Sequence, residues 1–426
     1  MLIQLPPEEM PTSWYNILPD LPESLPPPID PDKGQSRLKR LKEVLLAHCL
    51  EQEGSEERWI KIPDGIRELY EQAGRPRPLI RARRLEEKLK TPARLYYKAE
   101  FYSPTGSHKV NTALAQAYYA RKEGYERLST ETGAGQWGSA LAYAACLVGL
   151  ELVVYWVRAV YKWKDERRHF MKAFNARVRA SPSKHTEVGR GLLKEDPEHL
   201  GSLGIAVSEG LEEAGKDPRT IYCLGSVLNH VLLHQTIIGL ETKRQMEMVD
   251  DYPDVMISCL GGGSNFGGFV LPFVADAIKG RKIRFIATQS EAAPNLQGEY
   301  RYDFADHAEL TPMLKMYTLG HRKKLQPIKA DGLRYHGAAP IISLLRHEGY
   351  IDTIAYPADE SYVFEKARIF TTTEGFLPAP ESAYSIAGAI DEALRCKESG
   401  EEEVIAFNIS GHGLLDIEAY REKLGI

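Results

Sequence analysis

The chain has 426 residues, 43% hydrophobic and 27% charged, with a formal net charge of −5. That length suits two α/β domains or one large one, and the composition is that of a soluble globular protein. The negative balance argues against nucleic-acid recognition through a broad basic surface, and no apolar run approaches the roughly 20 residues of a membrane span. The N-terminus lacks the basic and apolar regions of a secretory leader, and five scattered cysteines, never in CxxC spacing, suit small buried hydrophobes in a reducing cytoplasm.

Residues 1–32 are proline-rich and can form neither helix nor central strand. They read as an extended arm, with disorder as the alternative; Trp14, Tyr15 and Ile17 favour an arm that packs on something. Helices are predicted over 36–52 and 66–72, the second broken by Arg75-Pro76-Arg77-Pro78. From residue 95 strands and helices alternate, the pattern of parallel sheets with helical crossovers. Strands are predicted over 94–102, 128–131, 151–157, 221–225, 254–260, 283–289 and 404–409. Helices are predicted over 110–122, 138–149, 166–173, 204–214, 227–249, 265–279, 341–348, 359–374 and 382–397. The stretch 181–203 reads as irregular. The stretch 290–340 is too long for a plain connection and is expected to carry function or cover a site. The expected organisation is an arm and helix over 1–60, a βα domain over 61–240 with a mobile part near 124–215, and a second βα domain over 241–426.

Lys109 lies where a strand gives way, through Ser103-Pro104-Thr105-Gly106, to a helix. A lysine there faces the positive end of the helix dipole, which lowers the cost of losing its proton. A neutral amine is what lysine needs to attack an aldehyde. Against this stands the ordinary reading, a solvated surface charge among 54 Lys and Arg. Gly261-Gly262-Gly263-Ser264-Asn265 follows a strand and opens a helix, so its N–H groups can close on an anion. The spacing is neither GxGxxG nor GK[ST], which leaves a small phosphorylated cofactor or a purely structural turn. In Glu131-Thr132-Gly133-Ala134-Gly135-Gln136 the N–H groups and the Thr132 hydroxyl can hold a carboxylate, and Glu131 is placed for proton transfer. Ser410 ends the last strand, where its hydroxyl can meet a ring nitrogen or merely cap the turn. His230 and His234 have metal-like spacing with no acid between them, and no metal site is assigned there.

Together and in this order, His108-Lys109-x-Asn111, Glu131 to Gln136, Gly261 to Asn265, Glu374-Gly375 with Pro378-x-x-Glu381-Ser382, and Asn408-x-Ser410-Gly411 resemble the tryptophan synthase β chain family of fold-type II pyridoxal-phosphate enzymes. The long N-terminus, 224–230, 315–321 and 332–337 resemble its longer, second type. The resemblance spans roughly 40–420. It implies two domains, each an open mostly parallel sheet flanked by helices, with pyridoxal 5′-phosphate between them. It implies that Lys109 carries the cofactor as a Schiff base and shuttles protons at the substrate α-carbon. It also implies that Gly261, Gly262, Gly263, Ser264 and Asn265 hold the phosphate with His108 nearby. Ser410 would face the pyridine nitrogen, and Glu381 and Asn111 would join the cofactor-binding set. Thr132, Gly133, Ala134, Gly135 and Gln136 would bind the serine carboxylate with Arg334 among the substrate contacts, and Glu131 would help expel the serine hydroxyl. A neutral Ser410 favours replacement at the β-carbon over transamination.

The implied reaction is L-serine plus indole to L-tryptophan and water, by a cytoplasmic homodimer. A serine or threonine deaminase sharing the first half of the chemistry, and a silent paralogue acting as a binding partner, are the other readings. Trp137 and Arg334 stand where the shorter type has His and Asp, as is typical of the second type. The segment 157–179 also differs near the surface used there for the α chain, so a weak or transient α-chain contact is expected.

Overall fold

Near-continuous apolar runs such as Val255–Cys259 and Val404–Ile409 cannot face water on either side, and they form the middle of a sheet covered by helices on both faces. The computed structural model describes all 426 residues. Its larger sheet has seven strands in the order Leu2–Ile3, Leu79–Arg81, Arg94–Ala99, Val404–Ile409, Val255–Cys259, Arg284–Ser290, Ile351–Tyr356. The last five are parallel, and the two at the N-terminal edge are antiparallel. A second sheet of four parallel strands runs Arg177–Ser181, Glu151–Val157, Arg127–Thr132, Thr220–Tyr222.

The sheets do not follow the contiguous division expected at 240/241. The strand Arg94–Ala99 leaves the N-terminal half and pairs along its whole length with Val404–Ile409, Leu95 opposite Ile405 and Lys98 opposite Asn408. The four-stranded sheet, within 127–222, is thus inserted into the larger one. Alternation reveals parallel crossovers but not which strand a given strand will pair with. The arm packs: Trp14, Tyr15 and Ile17 are buried, and the Tyr15 N–H donates to Thr236 Oγ1 at 3.0 Å.

Several helices are shorter than periodicity predicts. The stretch 36–52 forms Ser36–Val44 and Ala47–Glu53, and 227–249 forms Asn229–Gln235 and Ile237–Glu247, divided at Thr236. Thr236 Oγ1 donates back to the Leu233 carbonyl at 2.7 Å, a competing local bond of the kind that bends helices. Strands at Leu79–Arg81, Arg177–Ser181 and Ile351–Tyr356 escape the periodicity, the first because it is only three residues long and the other two because they are edge strands. The stretch 290–340 contains the hairpin Glu299–Phe304 and Met313–Thr318. The segment expected to be irregular holds the helix Glu187–Glu195, capped by Thr186 Oγ1, which accepts from the Gly189 N–H at 3.0 Å. Thr186→Ala is expected to cost about 1 kcal/mol, the usual worth of an N-cap, read as a lower urea midpoint.

Candidate functional site

The three central strands of the large sheet, Arg94–Ala99, Val404–Ile409 and Val255–Cys259, are neighbours, and their carboxyl ends open on one side. The turns that follow carry Lys109, Ser410 and Gly261–Gly263, which is why three stretches far apart in the chain meet. The carboxyl end of Arg127–Thr132 in the smaller sheet faces them with Glu131. One cavity is lined by His108, Lys109, Glu131, Thr132, Gly133, Ala134, Gln136, Gly261, Gly262, Gly263, Ser264, Asn265, Glu381 and Ser410.

Lys109 caps the helix Val110–Lys122, and its Nζ donates to the Gly225 carbonyl at 3.1 Å. Burial lowers its pKa to about 8, partly opposed by the nearby Glu131 and Glu381. Burial and the neighbouring Lys109 charge hold His108 well below the usual imidazole range, so it is neutral. Its Nε2 lies 3.3 Å from Ser264 Oγ, and its backbone N–H donates to the Ser410 carbonyl at 2.8 Å. Burial raises Glu131 to about 7, against the Tyr222 hydroxyl that donates to its carboxylate. Glu381 accepts from Gln136 Nε2 and from the Gly332 N–H, both at 2.9 Å, joining the smaller sheet's first helix to the turn at 331–333. Ser410 Oγ lies 2.9 Å from Ser382 Oγ.

The glycine turn cannot carry side chains. A Cβ on Gly261 would fall 2.2 Å from the Gly332 carbonyl, one on Gly262 2.2 Å from Ser226 Oγ, and Gly263 has φ +125°. This leaves backbone N–H groups at the start of the long helix Ser264–Ile278 open to the cavity. A glycine cradle for a phosphate, a neutral histidine beside it, an amine of lowered pKa and a hydroxyl at the far end form the donor set pyridoxal phosphate requires, and these residues fit it.

Three expected site residues lie elsewhere. Asn111 is buried beneath the cavity, where its Oδ1 accepts from Arg75 Nε at 3.0 Å and its Nδ2 donates to Gln235 Oε1 at 2.8 Å and Glu100 Oε2 at 3.2 Å. Two positions after Lys109 on a helix, it points away from the lysine's face. Gly135 supplies the left-handed turn, φ +92°, that starts the helix Gln136–Val148, and it does not reach the cavity wall. Arg334 lines an adjoining cavity and pairs with Asp331 at 3.3 Å.

Other wall residues carried no sequence signal. Leu41 and Leu45 come from the N-terminal helical segment, and Val207, Leu211 and Leu228 complete an apolar side. Nor did a buried cluster beside the mouth, where Asp416 meets Lys164 at 3.0 Å and Arg167 at 2.5 Å. Despite its burial, Asp416 is held at about 2 by these two cations. The cluster ties the smaller sheet's flank to the C-terminal segment. The two discounted histidines are structural: His230 pairs with Glu53, and His234 lies between Thr112 and Gln52.

A family model described as pyridoxal-phosphate dependent enzyme matches residues 70–411. The tryptophan synthase beta chain 2 of Thermotoga maritima is 56% identical over 422 residues, covering 99% of both chains. That of Methanothermobacter thermautotrophicus is 54% identical over 424 residues, 99% of this chain and 98% of that protein. The chain belongs to the tryptophan synthase β chain family of pyridoxal-phosphate-dependent enzymes. Among solved structures, an L-serine ammonia-lyase from Rhizomucor miehei superposes with a TM-score of 0.61 at 15% identity, over 82% of this chain and 97% of that one. A threonine deaminase from T.th. gives 0.55 at 19%, with the same coverage. At such identities these two share the fold alone, which is that of the fold-type II enzymes. In this chain Trp137 sits in the cavity wall with its Nε1 donating to Thr130 Oγ1 at 2.7 Å.

Proposed function

We propose that the chain joins L-serine and indole to give L-tryptophan and water, using pyridoxal phosphate. The observation that carries this is the apolar cluster of Leu41, Leu45, Val207, Leu211 and Leu228 in the wall of the same cavity that holds Lys109 and Glu131. A deaminase needs only water beyond the shared chemistry. An indole-using enzyme needs a dry slot that takes a flat apolar ring and keeps water from the same carbon. The names of the full-length relatives point the same way.

Bound at Lys109 and the glycine cradle, pyridoxal phosphate supplies the electron sink that makes the substrate α-proton removable. The N–H groups of Gly133, Ala134 and Gln136 and the Thr132 hydroxyl orient the serine carboxylate at a helix N-terminus. Lys109 takes and later returns the proton at the α-carbon. Glu131 gives a proton to the departing β-hydroxyl, which leaves as water, and then receives the proton indole loses as its carbon bonds to the β-carbon. Ser410, lacking charge, leaves the pyridine nitrogen unprotonated, which favours replacement over transamination. The part near 124–215 carries Glu131 and the carboxylate turn, and its motion against the larger sheet would open and shut the slot.

The test follows tryptophan and pyruvate from L-serine and pyridoxal phosphate, with and without indole. Tryptophan formed faster than pyruvate is expected; pyruvate alone would move the assignment to the deaminase. We take the working form to be a cytoplasmic homodimer with a weak or transient α-chain contact, which sedimentation with and without an α chain would measure. No helix is long and apolar enough to cross a membrane.

A further inference from the structure

Seven positions beyond Lys109, two turns along the same helix face, Gln116 is buried with no place in the chemistry above. Its amide clasps both backbone groups of Leu224: Nε2 donates to the carbonyl at 2.8 Å, and Oε1 accepts from the N–H at 3.1 Å. The next residue, Gly225, supplies the carbonyl that Lys109 Nζ meets at 3.1 Å. We propose that Gln116 is a positioning residue that fixes the Gly225 carbonyl as the acceptor for the Lys109 amine, setting when that amine is free to capture its aldehyde cofactor.

The hydrogen-bond directions close without a gap. Gln52 Oε1 can only accept, so His234 Nε2 donates to it at 2.8 Å, leaving Nδ1 to accept from the Thr112 hydroxyl at 3.1 Å. Thr112 Oγ1 then accepts the second Gln116 N–H at 2.8 Å. Both protons and the oxygen of Gln116 are therefore used, and the amide has one orientation. The chain reaches back to the N-terminal helix Ala47–Glu53, giving that segment a mechanical link to the catalytic lysine. His234 is buried and held neutral, so the directions do not change near neutral pH.

A carbonyl acceptor favours the ammonium over the amine, so releasing it lowers the amine's pKa. The other groups facing Lys109 are Glu131, Asp331, Glu381, His108, Tyr222 and Cys259, and none is altered by a change at Gln116. Capture is a simple condensation: the neutral amine adds to the aldehyde, a C=N bond forms, and the carbonyl oxygen leaves as water.

The test rests on Lys109 being the capturing lysine. Cofactor-stripped full-length protein is mixed with pyridoxal phosphate at a series of pH values, and the rate of the absorbance change is recorded. In the parent chain the rate should rise with pH; no absorbance change at all would overturn the lysine assignment and this proposal with it. In Gln116→Met the midpoint should fall by about one pH unit, the worth of one hydrogen bond to a charged group. Gln116→Asn, too short to reach both Leu224 groups but still polar, should shift it the same way and serves if the Met variant does not fold. A parent chain that captures the cofactor and variants whose midpoint is unchanged, whatever their rate or melting temperature, would overturn the proposal alone.

Discussion

Replacing Lys109 by Ala is expected to abolish the near-visible absorbance that the protein develops with pyridoxal phosphate and to lower tryptophan formation by about 10⁴-fold or more. Two proposed functions would disappear together, the covalent hold on the cofactor and the proton shuttle at the α-carbon. The cradle at Gly261–Gly263 and the neutral His108 remain, so the phosphate should still bind weakly. Dialysis should therefore strip the cofactor from the variant and not from the parent chain. A Lys109→Ala protein whose spectrum matched the parent's would place the linkage on another lysine. The choice of residue is physical: Lys109 pairs burial, which lowers its pKa to about 8, with a helix start that faces the cavity. By contrast Lys98 and Lys164, which are fully buried where Lys109 is half-buried, are engaged by carboxylates, Lys98 at 2.7 Å from Glu241 and Lys164 at 3.0 Å from Asp416. Neither has an unpaired amine to offer.

What the chain discloses about this site before folding is uneven, and the reason lies in range. Lys109, the glycine turn, the carboxylate turn and Ser410 are legible because each is a local pattern, a small-residue turn between a strand and a helix. Their convergence depends on Arg94–Ala99 pairing with Val404–Ile409, a match across about three hundred residues that no local period encodes. The expected boundary between domains fails for the same cause. Asn111 illustrates a second limit. The resemblance placed it at the cofactor, but the helix turns it towards Arg75, Glu100 and Gln235, where a buried arginine and carboxylate need a neutral amide between them. Arg334 is a third case: its side chain turns to Asp331 in the adjoining cavity because a buried carboxyl in that turn needs a cation. The apolar slot was invisible altogether, since nothing local in the helix predicted over 36–52 places Leu41 and Leu45 in a cavity wall.

Glu131→Gln should cut tryptophan formation by roughly 10²–10⁴-fold, the range for a lost general acid–base group, while leaving cofactor capture intact. The amide keeps the shape and the contact to Tyr222, so a small effect would mean that another group moves the proton. The pH profile sharpens the test. Burial has raised Glu131 to about 7, so near neutrality a substantial fraction is protonated and able to give its proton to the departing hydroxyl. If that step limits turnover, kcat in the parent chain falls as pH rises through about 7, because the donor form is lost, and in Glu131→Gln this limb is absent. Tyr222→Phe separates the environment from the acid itself. The hydroxyl donates to the Glu131 carboxylate and so favours its charged form; removing it should move the limb to higher pH with only a modest change at its plateau. A limb that persists in Glu131→Gln, or that moves downward in Tyr222→Phe, would assign the proton transfer to a different residue. If the lysine and the glutamate separate in this way, capture would belong to the larger sheet and expulsion of the hydroxyl to the inserted one. The reaction would then require the two sheets to meet, and the Glu381 carboxylate, which accepts from Gln136 and from the Gly332 N–H, is a contact that would hold them together.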